Sequence, residues 1–298
     1  MGESTSIPDE THIREGRPPI GAGPFSLVRR LWDREILQPL RDVEAQSRAF
    51  LATPDAQRVD SKVIVVLVTV AVIVTLQRYI DGEYAIDLTA NALGLEELGR
   101  KIKDDPVHGK FFRLMPFFVM QLFGSFLAPV LIIRLVFRER VSDYGTKLQG
   151  FMAGWWIYLV MIAVVMPFVV NASYQESFRR QYPYYKLALG EPLWPDFWIW
   201  EAMYLAQFFF LEFFFRGFML HALKLRFGCY SIFVMSVPYC MIHFDKPMAE
   251  TLGAIIAGIA LGFMSLKTRS IWMGTALHVT VAVTMDMLAL GHAGRLGW

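Results

Sequence analysis

Charge is scarce in this sequence. Only 19% of its 298 residues are Asp, Glu, Lys or Arg, where a soluble domain carries nearer a quarter. The net charge of +2 gives no basic surface of the kind that nucleic acid requires, so no nucleic-acid partner is expected. Cysteine is scarce too, limited to Cys229 and Cys240. Placed on one helix, these two would stand about 16 Å apart, beyond disulfide reach, and they read as small core residues. Residues 1–24 are polar and rich in Gly, Pro and charge, with no apolar core of a signal peptide. The first apolar run is therefore expected to be a retained anchor. No internal repeat and no low-complexity tract is visible.

What the chain has instead is apolar length. Hydrophobic residues make up 55% of it, concentrated in runs long enough to cross a hydrocarbon core, which takes about 20 residues. Seven spans are predicted, over 63–79, 111–137, 151–170, 197–223, 229–243, 249–266 and 271–290. The last three are short and closely spaced. The fold class that follows is all-α: a polytopic transmembrane helical bundle of about seven spans with an N-terminal amphipathic helix. That helix is predicted over 25–51, where Val28, Trp32, Ile36, Leu40 and Val43 recur at helical spacing among Arg29, Arg30, Arg34 and Arg41. It suits either the membrane surface or the protein's own cytosolic face, and Pro54 and Asp55 end it. The polar stretch 81–110 has an amphipathic middle at 93–102. Three regions follow: a polar N-terminal segment with its helix (1–60), an N-terminal membrane region (61–193) and a C-terminal helical core (194–298).

Orientation is read from Lys and Arg near the span ends. Arg138, Arg140, Lys147, Lys224, Arg226, Lys267 and Arg269 share a side with the Arg-rich N-terminus, against Arg179, Arg180, Lys186 and Lys246 opposite. The N-terminus is therefore expected in the cytoplasm and the C-terminus outside.

The C-terminal spans contain charge that lipid does not host. Glu212 and Arg216 are one turn apart amid six phenylalanines, so they can pair on one face. Each central charge costs about 2.5–3.5 kcal/mol to insert, which pairing or hydration must offset. His243 closes the fifth span beside Pro247. Glu250 opens the sixth, followed by Gly253, Gly258 and Gly262, small residues that let helices approach closely. His278 lies in mid-span and Asp286 eight residues on, about 80° round the helix and so on a broad shared face. Taken singly, each has a structural explanation: an ion pair locking helices, a capping histidine, a carboxylate at a helix N-terminus, an interhelical hydrogen bond. Taken together, they put six ionisable groups on four consecutive helices, which must converge or line a wet cavity.

A Glu and two His in such a cavity suit hydrolysis by activated water. A carboxylate takes the proton, water attacks a carbonyl, and nearby donors bind the oxyanion. The same side chains suit zinc, but no H-E-x-x-H is present, and neither a Gly-x-Ser-Gly nor a Gly-x-Gly-Asp motif marks a serine or aspartyl intramembrane protease. No cofactor is expected, with zinc the one considered.

Glu212-Phe-Phe-Phe-Arg216-Gly217, Tyr239-Cys-Met-Ile-His243 and the His278 helix resemble the three motifs of the CPBP family. That family holds the Rce-type CAAX prenyl endopeptidases and bacterial relatives in bacteriocin processing and immunity. Lys246-Pro247 with Glu250, and Thr268-Arg269-Ser270-Ile271, resemble its bacterial members. The resemblance covers about 194–290. It implies a multi-pass protein of a bacterial plasma membrane and a glutamate-dependent endopeptidase. Glu212 would activate water, His243 and His278 would bind the oxyanion or polarise the water, Arg216 would hold Glu212 ionised, and Glu250 and Asp286 would support. The implied partners are the bilayer and a membrane-associated protein or peptide substrate. The family's paired first Glu is replaced by Leu211, and the Asn often found four residues after the second histidine is Ala282. Either Glu212 serves as base with Glu250 or Asp286 completing the site, or the chain is a non-proteolytic scaffold or immunity-type protein of the same fold. A metal-dependent version of the protease is the remaining alternative, and a proton-coupled transporter is disfavoured by the lack of charge in spans one and three.

Overall fold

The computed structural model describes residues 24–80, 82–188 and 190–296, and the polar stretch expected over 1–24 lies outside them up to residue 23. Two compact units divide at Arg41 and Asp42. The first holds α1 (Pro24–Trp32) and a wider π-helical turn, Asp33–Leu37, leading into α2 (Gln38–Leu51). The amphipathic helix predicted over 25–51 is thus helical along its length.

In the second unit, six helices are long and apolar enough to cross a membrane: α3 (Ser61–Tyr79), α6 (Gly109–Val136), α7 (Trp155–Ser173), α9 (Asp196–Phe227), α11 (Met248–Thr268) and α12 (Trp272–His292). No strand occurs among the described residues. Local chemistry sets the ends. Asp60 accepts the Val63 N–H to start α3, whose 19 residues rise about 28 Å, close to the thickness of a hydrocarbon core. The predicted amphipathic stretch in 81–110 is two helices, α4 (Gly82–Leu93) and α5 (Glu96–Lys103), because Gly94 turns the chain with φ of +67°. A short helix, α8 (Glu176–Gln181), follows α7. The fifth predicted span is the shorter α10 (Tyr230–Met241), an apolar helix of 12 residues with Pro238 inside it.

Burial ranks the spans. In α9, 61% of the most apolar window is buried in protein, against 17% in α3 and in α7, so α9 is the central helix and the others surround it. Its phenylalanines Phe213, Phe214, Phe215 and Phe218 are all enclosed. Here the helix widens to π turns over Phe213–Met219, a geometry found mostly as single-turn bulges and frequently at functional sites. The widening leaves the Arg216 carbonyl to accept from Ser265 Oγ of α11 at 3.1 Å, so a freed backbone acceptor is paired within the protein.

Helices α10 and α11 meet along small residues. A Cβ added at Gly258 would lie 3.1 Å from Ser236 Oγ and from Tyr239, and one at Gly262 would lie 2.9 Å from Met235, whereas Gly253 has nothing within 4 Å. Two of the three predicted seam glycines therefore carry the contact. Valine at either should destabilise by about 1–3 kcal/mol through overpacking, seen as a lower midpoint of thermal unfolding in detergent, while Gly253→Val should leave the midpoint unchanged.

Candidate active site

Helix α9 supplies the carboxylate. Glu212 ends its regular α-helical stretch and Arg216 lies in the π turns, and their side chains are 1% and 0% exposed, with Arg216 Nη1 2.9 Å from Glu212 Oε1. An isolated charge at this depth would cost several kcal/mol, so each ion needs the other. Helix α12 brings His278 Nδ1 to 3.0 Å from the same Glu212 oxygen. Neither contact has its hydrogen aligned on the acceptor, so Glu212 Oε1 and the guanidinium N–H groups retain hydrogen-bonding capacity. Gly274, one turn before His278, makes the approach possible: a Cβ there would meet Glu212 Oε2 at 2.6 Å.

Helix α10 supplies a tyrosine and the second histidine. Tyr239 Oη lies 3.1 Å from His278 Nε2. The Arg216 guanidinium carbon sits 3.8 Å above the centre of the Tyr239 ring, a cation–π contact strengthened by desolvation. His243, one turn on, donates through Nδ1 to the Tyr239 carbonyl at 2.9 Å, and its ring packs edge-on to the tyrosine ring at 4.9 Å between centroids. A backbone carbonyl only accepts, so the neutral His243 ring carries its proton on Nδ1 and keeps Nε2 as an acceptor. Thr251 Oγ1 of α11 donates to the His243 carbonyl at 2.7 Å and fixes the turn after α10. The Phe208 ring stacks 5.7 Å from the His278 imidazole at an interplanar angle of 11°.

Of the residues singled out in the sequence, Glu212, Arg216, His243 and His278 thus form one cluster with Tyr239. Glu250 and Asp286 lie apart from it. Glu250, in the first turn of α11, is held by Lys246 Nζ at 2.6 Å from the turn before that helix and by Tyr182 Oη at 3.0 Å from the loop after α8. Asp286 is two turns beyond His278, about 12 Å along α12, and there it faces Glu201 of α9. Sharing a helix face put Asp286 on the right side but not at the right depth. Glu201 is not among the acids expected from the sequence. It stands eleven residues before Glu212, about 20° round the helix and about 16 Å along it, so the helical stripe through Glu212 points to it. Both acids are buried, at 4% and 0% exposed. Tyr239 stands in a motif that gives it no role of its own, and nothing in the sequence marks Gly274, since the role of each depends on a neighbour from another helix.

Among the described residues, no three His, Cys, Asp or Glu side chains are placed to hold one metal ion. Cys229 and Cys240 are not joined by a disulfide and take no part in the cluster.

Comparison with known families agrees with the motifs. Residues 192–284 match the model of the type II CAAX prenyl endopeptidase Rce1-like family, so the segment bearing the cluster is similar to that family, as the motifs suggest. The match takes in Glu212, Arg216, Tyr239, His243, Gly274 and His278 and stops short of Asp286. No curated protein and no solved structure matches the chain.

The Gly274 contact is open to a double-mutant cycle. Gly274→Ala should lower the thermal midpoint of the detergent-solubilised protein by the equivalent of about 1–3 kcal/mol. Glu212→Asp, one methylene shorter, should recover part of that loss, so that the pair is non-additive. Simple additivity would show that the alanine methyl does not meet the carboxylate.

Proposed function

We propose that this chain is an intramembrane endopeptidase of the glutamic type, hydrolysing a peptide bond of a membrane-associated substrate. The observation that carries the proposal is the Glu212 carboxylate set against His278 Nδ1 at 3.0 Å and against Arg216 Nη1 at 2.9 Å. The negative charge beside Nδ1 favours the tautomer that carries its proton there and leaves Nε2 as the basic atom. When Nε2 takes a proton, the new imidazolium lies beside a negative charge in a dry surround, where that charge stabilises it most.

The steps follow from this placement. A water beside the cluster loses a proton that finishes on His278 Nε2, and its oxygen bonds to the scissile carbonyl carbon. His243 Nε2 accepts a hydrogen bond from that water and orients it. The Arg216 N–H groups that lack aligned partners provide positive charge for the developing oxyanion. The imidazolium then returns the proton to the leaving amine as the C–N bond breaks. Glu212 thus drives water activation through His278. We place the N-terminus on the cytoplasmic side, on the distribution of Lys and Arg at the span ends.

A non-proteolytic membrane scaffold with the same fold is the second reading. One observation favours it: Leu211, where the resemblance has its first Glu, is packed into the core at 9% exposed, so only one carboxylate faces the histidines.

The purified full chain in detergent should cleave at least one of three quenched fluorescent probes: a farnesylated CaaX peptide, a leader-type peptide or a transmembrane peptide. Glu212→Ala and His278→Ala should each lower kcat by about 10²–10⁴-fold, with the thermal midpoint measured alongside to confirm folding. Full activity in Glu212→Ala would remove the glutamate from the mechanism. No cleavage by the wild type of any probe would favour the scaffold, and loss of activity to a chelator would mark the metal-dependent version.

A further inference from the structure

We infer that Tyr239 is a catalytic residue of this site, its phenolic hydroxyl relaying the proton between the attacking water and His278. The inference rests on the protease reading above and adds to it the atom through which the proton travels. It starts from a geometric obstacle. The basic atom of the Glu212–His278 pair is His278 Nε2, and Tyr239 Oη already lies 3.1 Å from it. With the phenol donating there, the lone pair of Nε2 is already occupied, and a water proton can reach it only through Oη.

A phenol is suited to that position because its oxygen both donates and accepts. With its proton given to Nε2, Tyr239 Oη keeps lone pairs free for a hydrogen bond from water. One continuous line results: Arg216 and Glu212, then His278 Nδ1, the imidazole, His278 Nε2, Tyr239 Oη and the water. The order is that of a carboxylate–histidine–hydroxyl triad, with the hydroxyl acting as a proton carrier instead of a nucleophile. Buried water making several polar contacts is an ordinary part of such networks.

The surroundings of the ring support the transfer. The Arg216 guanidinium stacks on the face of Tyr239 at 3.8 Å, so a full positive charge lies over the ring while its oxygen gains negative character. Phe215 meets the ring edge-on at 5.4 Å and His243 at 4.9 Å, which with the His243–Tyr239 carbonyl bond leaves the tyrosine one orientation. His278 keeps 15% of its side chain exposed although its Nδ1 is enclosed, so the open part of the residue is not the part facing Glu212.

The relay balances. As the water oxygen bonds to the carbonyl carbon, one water O–H breaks and its proton bonds to Tyr239 Oη. The proton originally on Oη moves to His278 Nε2, and the carbonyl π pair moves to oxygen. On collapse the proton on Nε2 returns to Oη, the one on Oη passes to the leaving nitrogen, and the C–N bond breaks. Tyrosine and histidine end as they began, and one water has been consumed.

Tyr239→Phe removes the hydroxyl and keeps the ring over Arg216. With whichever of the three probes the wild type cleaves, it should lower kcat about 10²-fold or more, leave KM within twofold and leave the thermal midpoint close to wild type. A second variant keeps the hydroxyl. With 3,5-difluorotyrosine at position 239, whose phenol ionises at lower pH, the basic limb of the kcat/KM profile should move to lower pH, a shift that a merely structural tyrosine would not produce. If Glu212→Ala and His278→Ala are inactive while Tyr239→Phe is fully active, or if the difluoro variant keeps the wild-type limb, the relay is wrong and the protease reading stands. If the wild type cleaves no probe, or Glu212→Ala is fully active, the protease reading fails and the relay with it.

Discussion

The cluster in the C-terminal half of this molecule is arranged around the cost of taking the Glu212 carboxylate out of water. Glu212 is 1% exposed in a phenylalanine-rich helix, and lipid offers it nothing. Desolvation of an ion on this scale exceeds what a single helix contributes, so the charge is tolerable only where an opposite charge and further polar contacts are assembled beside it. Arg216 comes from the same helix one turn away. His278 comes from another, at a point where a glycine lets the backbone approach. The ion pair is therefore local in sequence, but its third member requires α9 and α12 to pack closely, and this links the electrostatics to the tertiary fold.

The same constraint explains why Tyr239 is the connecting residue. It presents an apolar edge to Phe215, a π face to Arg216, a hydroxyl to His278 and a backbone carbonyl to His243. An apolar ring with a polar tip satisfies cation, imidazole and hydrocarbon at once. Close packing of α10 on α11 through Gly258 and Gly262 sets that ring in place, so what reads as a packing seam in one helix fixes proton geometry in its neighbour.

The positions of the spans were legible because apolar run length is a direct consequence of bilayer thickness, and α3, α11 and α12 begin and end within a few residues of the predicted runs. The Glu212–Arg216 pair was legible because four residues is one helical turn. The convergence of His243 and His278 on it was legible from the exclusion of charge by lipid. Depth was not. Asp286 shares a broad face with His278, yet a helix has length as well as azimuth, and two turns separate them. Glu201 escaped notice because an acid five residues inside a helix end can reach water in most membrane proteins. Here Tyr184 and Tyr185 from the preceding loop pack over Trp200 and Tyr204 and close that route. Such burial depends on a long-range fold of the loop, which neither periodicity nor composition encodes. The twelve-residue length of α10 follows from the turn that places His243, and a run of apolar letters does not reveal where a helix will stop.

That short helix bears on the membrane itself. Twelve residues rise about 18 Å, against a hydrocarbon core of about 30 Å, so α10 alone does not match the bilayer it lies in. Four N–H groups of the turn that follows, those of Ile242, His243, Phe244 and Lys246, bond to the carbonyls of Pro238, Cys240, Met241 and His243, which keeps them paired within the protein. The turn then reaches Asp245, whose carboxylate pairs with Arg78 in the last turn of α3 at 3.1 Å. Non-helical chain thus makes up the rise that α10 lacks, and an ion pair two residues from His243 ties the end of the short helix to the end of a full-length span.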